Sequence, residues 1–147
     1  MGFWRKLIGK PQPVTTTAMD ARIAHDLNSI LLGHEPTRVP LQGSTGSRAS
    51  RAYVCGLVEA IIQHYRGQGL TDAEEQMAFT SGFLAVYGAA NVNAVGKLTF
   101  DEIKADEPAS LHGLGLGVMD AEAFYAGEAM SGPLGFWTLN NDTTATA

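Results

Sequence analysis

The sequence predicts an all-α fold, a compact bundle of four to five helices joined by glycine-rich connections. Three observations predict it. Apolar residues recur at three- and four-residue intervals along most of the chain. Clusters of Pro and Gly cut the periodic stretches into segments of ordinary helix length, and Ser or Thr stands before several of those segments as a helix-capping residue would. With 147 residues, 45% hydrophobic and 17% charged, the chain fits one domain that can bury its own core. The expected organisation is an N-terminal amphipathic segment and linker over 1–14, a helical domain over 15–137 and a disordered tail over 138–147.

A first helix is expected over Thr17 to Leu32. Met19, Ile23, Leu27, Ile30 and Leu31 share one arc of a wheel turning about 100° per residue, Gly33 is a natural stop, and His25 falls on the opposite, solvated side. Residues 33–47 carry two prolines and three glycines and read as a loop. From Ser47 or Arg48 a second helix follows, with Val54, Leu57, Val58, Ile61, Ile62 and Tyr65 on its apolar side and "RGQG" at its end. Thr71 and Glu74 form the signature of a capping box and open a third helix over about 72–89. Its Met77, Phe79, Phe83, Leu84, Val86 and Tyr87 cover nearly half the wheel, so it is expected to be the most buried and central helix.

A short helix is expected over Thr99 to Asp106, ended by Pro108. The stretch "SLHGLGLGVM" has two readings. Leu111, Leu114, Leu116 and Val118 fit part of a strand, whereas Gly113 and Gly117 fit the small face of a helix that another backbone approaches closely. A loop followed by a helix is favoured, because Ala123, Ala126 and Met130 then share a face.

Composition narrows the setting. Cys55 is the sole cysteine, so no internal disulfide forms, which suits a reducing compartment. The chain shows neither the long apolar run of a secretory signal nor that of a membrane span, and the cytoplasm is expected. The net charge of −5 conceals a split: residues 1–66 hold eight Lys and Arg against four acids, and residues 67–147 hold two against eleven. So acidic a body argues against nucleic acid, while the split suits an anionic surface or head-to-tail contact between copies, a homo-oligomer.

The opening "MGFWRKLIGK" carries this charge in a particular form. In a helix, Phe3, Trp4, Leu7 and Ile8 fall within roughly 140° and Arg5, Lys6 and Lys10 lie outside it. Two turns are too short to persist alone in water, so the segment needs a surface. Three are available: a groove on a partner protein, an anionic membrane, or the protein's own core.

"NVNAVGKLTFDE", residues 91–102, resembles the calcium-binding loop of the EF-hand family. Asn91 and Asn93 stand at the first and third ligand positions, Gly96 at the turn, Lys97 at the carbonyl position, Leu98 at the apolar position, Thr99 at the ninth and Glu102 at the bidentate twelfth. Val95 replaces the fifth-position ligand and two carboxylates become amides. The resemblance implies a weak calcium site at Asn91, Asn93, Lys97, Thr99 and Glu102.

Other candidates are less specific. "GSTGSRAS", residues 43–50, leads into a helix and with Arg48 could hold an anion, but it lacks the ending of a P-loop. His25, His34, His64 and His112 show no zinc-ligand spacing, and Cys55 at the margin of an apolar arc reads as a structural thiol. No catalytic residues are assigned. The expected role is a non-catalytic adaptor, inhibitor or assembly subunit acting by protein contact and tethered by residues 3–10. The alternatives are a metal- or ligand-binding module using 91–102, or a small enzyme with a site near His64.

Overall fold

A computed structural model describes residues 18–32, 46–67 and 69–130. Every regular element among them is a helix: α1 Ala18–Leu32, α2 Arg48–Arg66, α3 Asp72–Tyr87, α4 Val92–Lys104 and α5 Pro108–Ala126. This is the all-α bundle the sequence predicts. The amphipathic opening (Phe3, Trp4, Arg5, Lys6, Leu7, Ile8, Lys10), the stretch 33–45 and the tail beyond Met130 lie outside the described residues. Among the described residues no helix is long and apolar enough to cross a membrane.

Of the expected stripe, α1 buries Ile23, Leu27 and Ile30 in the core, with His25 exposed, and the side chains of Met19 and Leu31 lie outside those described. It lies against the small residues of α3, Ala78 and Gly82. α3 starts as its sequence signals. Thr71 accepts from the Glu74 backbone N–H at 3.2 Å, and the Glu74 carboxylate accepts from the Thr71 backbone N–H at 3.2 Å, which completes the capping box. Phe79 and Phe83 stack on α3 with centroids 5.4 Å apart, and Phe100 of α4 packs against Phe79 at 5.7 Å. Each such buried ring contributes about 1.5–3 kcal/mol of transfer free energy.

The central helix is α2, not α3. Ser47 caps it by accepting from the Ser50 N–H at 3.0 Å, and the helix is buried on nearly every side from Ala49 to Ile62. Its large residues make the apolar arc read from the sequence. The opposite side is built of Ala49, Ala52 and Gly56, which carry little hydropathy and so give no signal on a wheel, yet let a neighbouring backbone come close.

That neighbour is α5. A methyl group built on Gly113 would stand 2.0 Å from the Ala49 carbonyl oxygen, one on Gly117 2.2 Å from that of Tyr53, and one on Gly56 2.2 Å from that of Leu114. The two helices therefore meet backbone to backbone. Positions rise together along both, from Ala49 with Gly113 to His64 with Tyr125, so α2 and α5 run parallel. Residues 111–118, expected as a loop, belong to this helix. Pro108 stands in its first turn, where a missing N–H costs nothing, and Gly127 ends it at φ 70°.

α4 also departs from expectation, starting seven residues before Thr99, at Val92. Val95, Thr99 and Phe100 are buried at helical spacing, and this apolar face holds the segment helical through Gly96.

Charged groups fasten the frame at one end. Arg51, 4% exposed, places Nη2 at 3.0 Å from both Glu102 carboxylate oxygens and donates Nη1 to the Gly46 carbonyl at 2.7 Å. Arg48 donates to Glu102 at 2.5 Å and to Glu107 at 2.9 Å, so one cluster joins the start of α2, the end of α4 and the N-cap of α5. Midway along the helix pair, the Tyr53 hydroxyl donates to the buried Asp120 carboxylate.

Candidate functional site

Beyond the glycine contact, the facing residues of α2 and α5 become larger and bound a cleft of about 590 Å³. Glu59, Gln63 and His64 line it from α2, and Val118, Glu122 and Tyr125 from α5. Spacings of four and three residues put Glu59 with Gln63, and Glu122 with Tyr125, on single helix faces.

One wall of the cleft is aromatic. His64 and Tyr125 stack with centroids 3.6 Å apart and planes 6° from parallel, and Tyr65 meets both rings edge-on at 5.0 and 6.4 Å. Behind the wall, Asp26 of α1 accepts hydrogen bonds from the hydroxyls of Tyr65 and Tyr125, the latter at 2.8 Å. Burial, reinforced by the hydrogen bond to the Asp26 carboxylate, pushes the Tyr65 hydroxyl up to about 12 and Tyr125 well above its ordinary range. Both phenols therefore remain donors at any ordinary pH, and the wall keeps its shape.

The carboxylates are different. No hydrogen bond or ion pair among the described residues reaches Glu59 or Glu122. Burial pushes the Glu59 carboxyl above its ordinary value, with the Arg66 charge opposing it, and Arg66 itself donates to Glu75 at 2.7 Å. A raised folded-state pKa means that the ionised form is disfavoured by folding. The penalty is complete above the folded pKa and disappears as pH falls below the unfolded value. Glu59→Gln should therefore raise the melting midpoint near pH 7, and the gain should fade toward about pH 4, close to the unfolded carboxylate value. Melting curves at the two pH values check it, and a lower midpoint at neutral pH would contradict it.

The residues expected to form a calcium site are placed as follows. Residues 92–104 form a helix rather than a ligating loop, Thr99 donates its hydroxyl to the Val95 carbonyl at 2.7 Å, and Glu102 is taken by two arginines. Asn91 donates to the Tyr87 carbonyl at 3.2 Å. Asn93 and Lys97 are exposed and line, with Phe79, Phe83 and Phe100, a smaller groove of about 240 Å³ between α3 and α4. Among the described residues no three His, Cys, Asp or Glu side chains are grouped as metal ligands.

Arg48, expected to hold an external anion, is bound to Glu102 and Glu107. Cys55 is wholly buried and its thiol is pushed up by that burial, which disfavours the nucleophilic thiolate. His112 and His25 are exposed and apart from the cleft lining. Sequence reasoning found His64 and missed Glu59, Glu122, Tyr125 and Asp26. One signal was available: Glu59 interrupts the apolar run "LVEAII", where a carboxylate must sit half in the core.

No family model matches the chain, and neither does any curated protein or solved structure.

Proposed function

We propose that this chain is a non-catalytic cytoplasmic contact module that binds a partner protein at the cleft between α2 and α5. One contrast supports the reading. Several polar side chains elsewhere in the bundle are paired internally: Arg51 with Glu102, Tyr53 with Asp120, and Asp26 with two tyrosines. At the cleft, two carboxylates from different helices line the same concavity as the stacked His64 and Tyr125 rings and have no such partner among the described residues. Polar groups that converge on a preformed concavity without spending their bonds inside the protein are what a binding site requires.

The test is a photo-crosslinking amino acid placed at Gln63, an exposed cleft residue, in the full chain in its native cells. A defined protein adduct is expected, and it should vanish when Ala126, exposed at the mouth of the cleft, is changed to Trp without lowering the melting midpoint. A chain that gives no adduct at Gln63, or one indifferent to Ala126→Trp, does not use this cleft. The same residue placed at Phe3 asks separately whether the opening segment is a tether.

A further inference from the structure

We infer that the cleft takes a guanidinium group, the side chain of an arginine on the partner. This rests on the reading of the cleft as a partner-binding site and names what it binds.

The sign of the ligand follows from three sources of negative potential. Glu59 and Glu122 line the cleft from opposite helices. The parallel arrangement brings the C-terminal turns of both helices to it, since α2 ends at Arg66 just past His64 and α5 ends at Ala126 beside Tyr125. Each helix end carries about half a negative charge, and the two reinforce one another here because the helices run the same way. An antiparallel pair would have cancelled them. Asp26 then adds a carboxylate behind the Tyr125 ring, which strengthens the pull of that ring on a cation. The charges that would oppose a cation are limited. Arg66 lies near Glu59 but is committed to Glu75, and Arg22 acts on Tyr65 from the α1 side.

The shape of the ligand follows from the walls. A flat stacked pair and two carboxylates on separate helices suit a planar cation with several donors in a fixed fork. An ammonium group, compact and strongly hydrated, gains less from a flat ring and must give up more water. The half-buried Glu59 supplies the driving force. It has already lost part of its hydration on folding, so a cation arriving there compensates a cost already present.

The experiment titrates the full-length protein with N-acetyl-arginine amide, N-acetyl-lysine amide and the uncharged isostere N-acetyl-citrulline amide. Amide chemical shifts are followed by NMR. Expected are saturable shifts at Glu59, His64, Glu122 and Tyr125 with the arginine probe, weaker binding of the lysine probe, and none with citrulline. The double variant E59Q/E122Q should weaken the arginine probe about tenfold or more, and Ala126→Trp should block it sterically with both carboxylates intact. No saturable shift, equal binding of citrulline or of lysine, or indifference to both variants overturns the inference. If the Gln63 crosslink persists while the arginine probe fails, the guanidinium assignment falls and the contact module stands. If the crosslink is also absent, both fall.

Discussion

Gly113→Ala is expected to destabilise the protein by about 3 kcal/mol, at the upper end of overpacking costs. For a chain of this size that lowers the melting midpoint by roughly 6–12 °C. The added methyl would lie 2.0 Å from the Ala49 carbonyl oxygen and 2.8 Å from its carbonyl carbon, both backbone atoms that no side-chain rotation can move. The helices must separate, and separation at Gly113 also opens the contact at Gly117, where the Tyr53 carbonyl is 2.2 Å from the equivalent methyl position. The double variant G113A/G117A should consequently cost less than the sum of the two single variants, because helices already separated by the first methyl make room for the second. Gly115→Ala is the control. It lies between them on the same helix with open space around it, and alanine is the better helix former, so it should stabilise by about 1 kcal/mol. Circular dichroism melts of the three variants decide the matter. If Gly113→Ala and Gly115→Ala behave alike, the close backbone contact does not exist.

Glu102→Ala carries the second large effect. It leaves Arg51 inside the protein with its charge uncompensated, because the Nη1 bond to the Gly46 carbonyl supplies a dipole and not a countercharge. Removing one member of a buried pair costs about 3–5 kcal/mol. Arg48, with 23% of its side chain exposed, can turn to water and to Glu107, so Arg48→Ala should cost much less. The informative partner experiment is R51M/E102L. Replacing both charges by apolar groups removes the stranded ion, and the double variant should recover most of what Glu102→Ala loses. A denaturant-melt cycle over the four chains measures the coupling, and additive single effects would show that the pair is not buried as described.

The helices were legible where one face alone decides the structure. Ile23, Leu27 and Ile30 in α1 and the Thr71–Glu74 box in α3 needed only spacing and a cap. Reading failed where the deciding contact is with a distant backbone. Gly113 and Gly117 alternate with leucines in a pattern that suits strand, loop or helix equally, and only the carbonyls of Ala49 and Tyr53 choose between them. At 91–102 a local motif outweighed the core-facing spacing of Val95, Thr99 and Phe100, and the helix followed the core. The cleft was nearly invisible for the same reason. Asp26, Glu59, Glu122 and Tyr125 come from three helices spread along the chain, and nothing in the spacing of any one of them announces the others.

The parallel pairing of α2 with α5 has a consequence for the order in which the protein is made. α5 is the most extensive partner of α2, yet α3 and α4 must be synthesised between them. A chain growing from the ribosome therefore presents α2 with Tyr53, Gly56 and the other α5-facing residues unmatched until α5 emerges. Folding has to wait on a long-range closure, so the interval after α3 is complete is when the nascent chain most needs protection from aggregation.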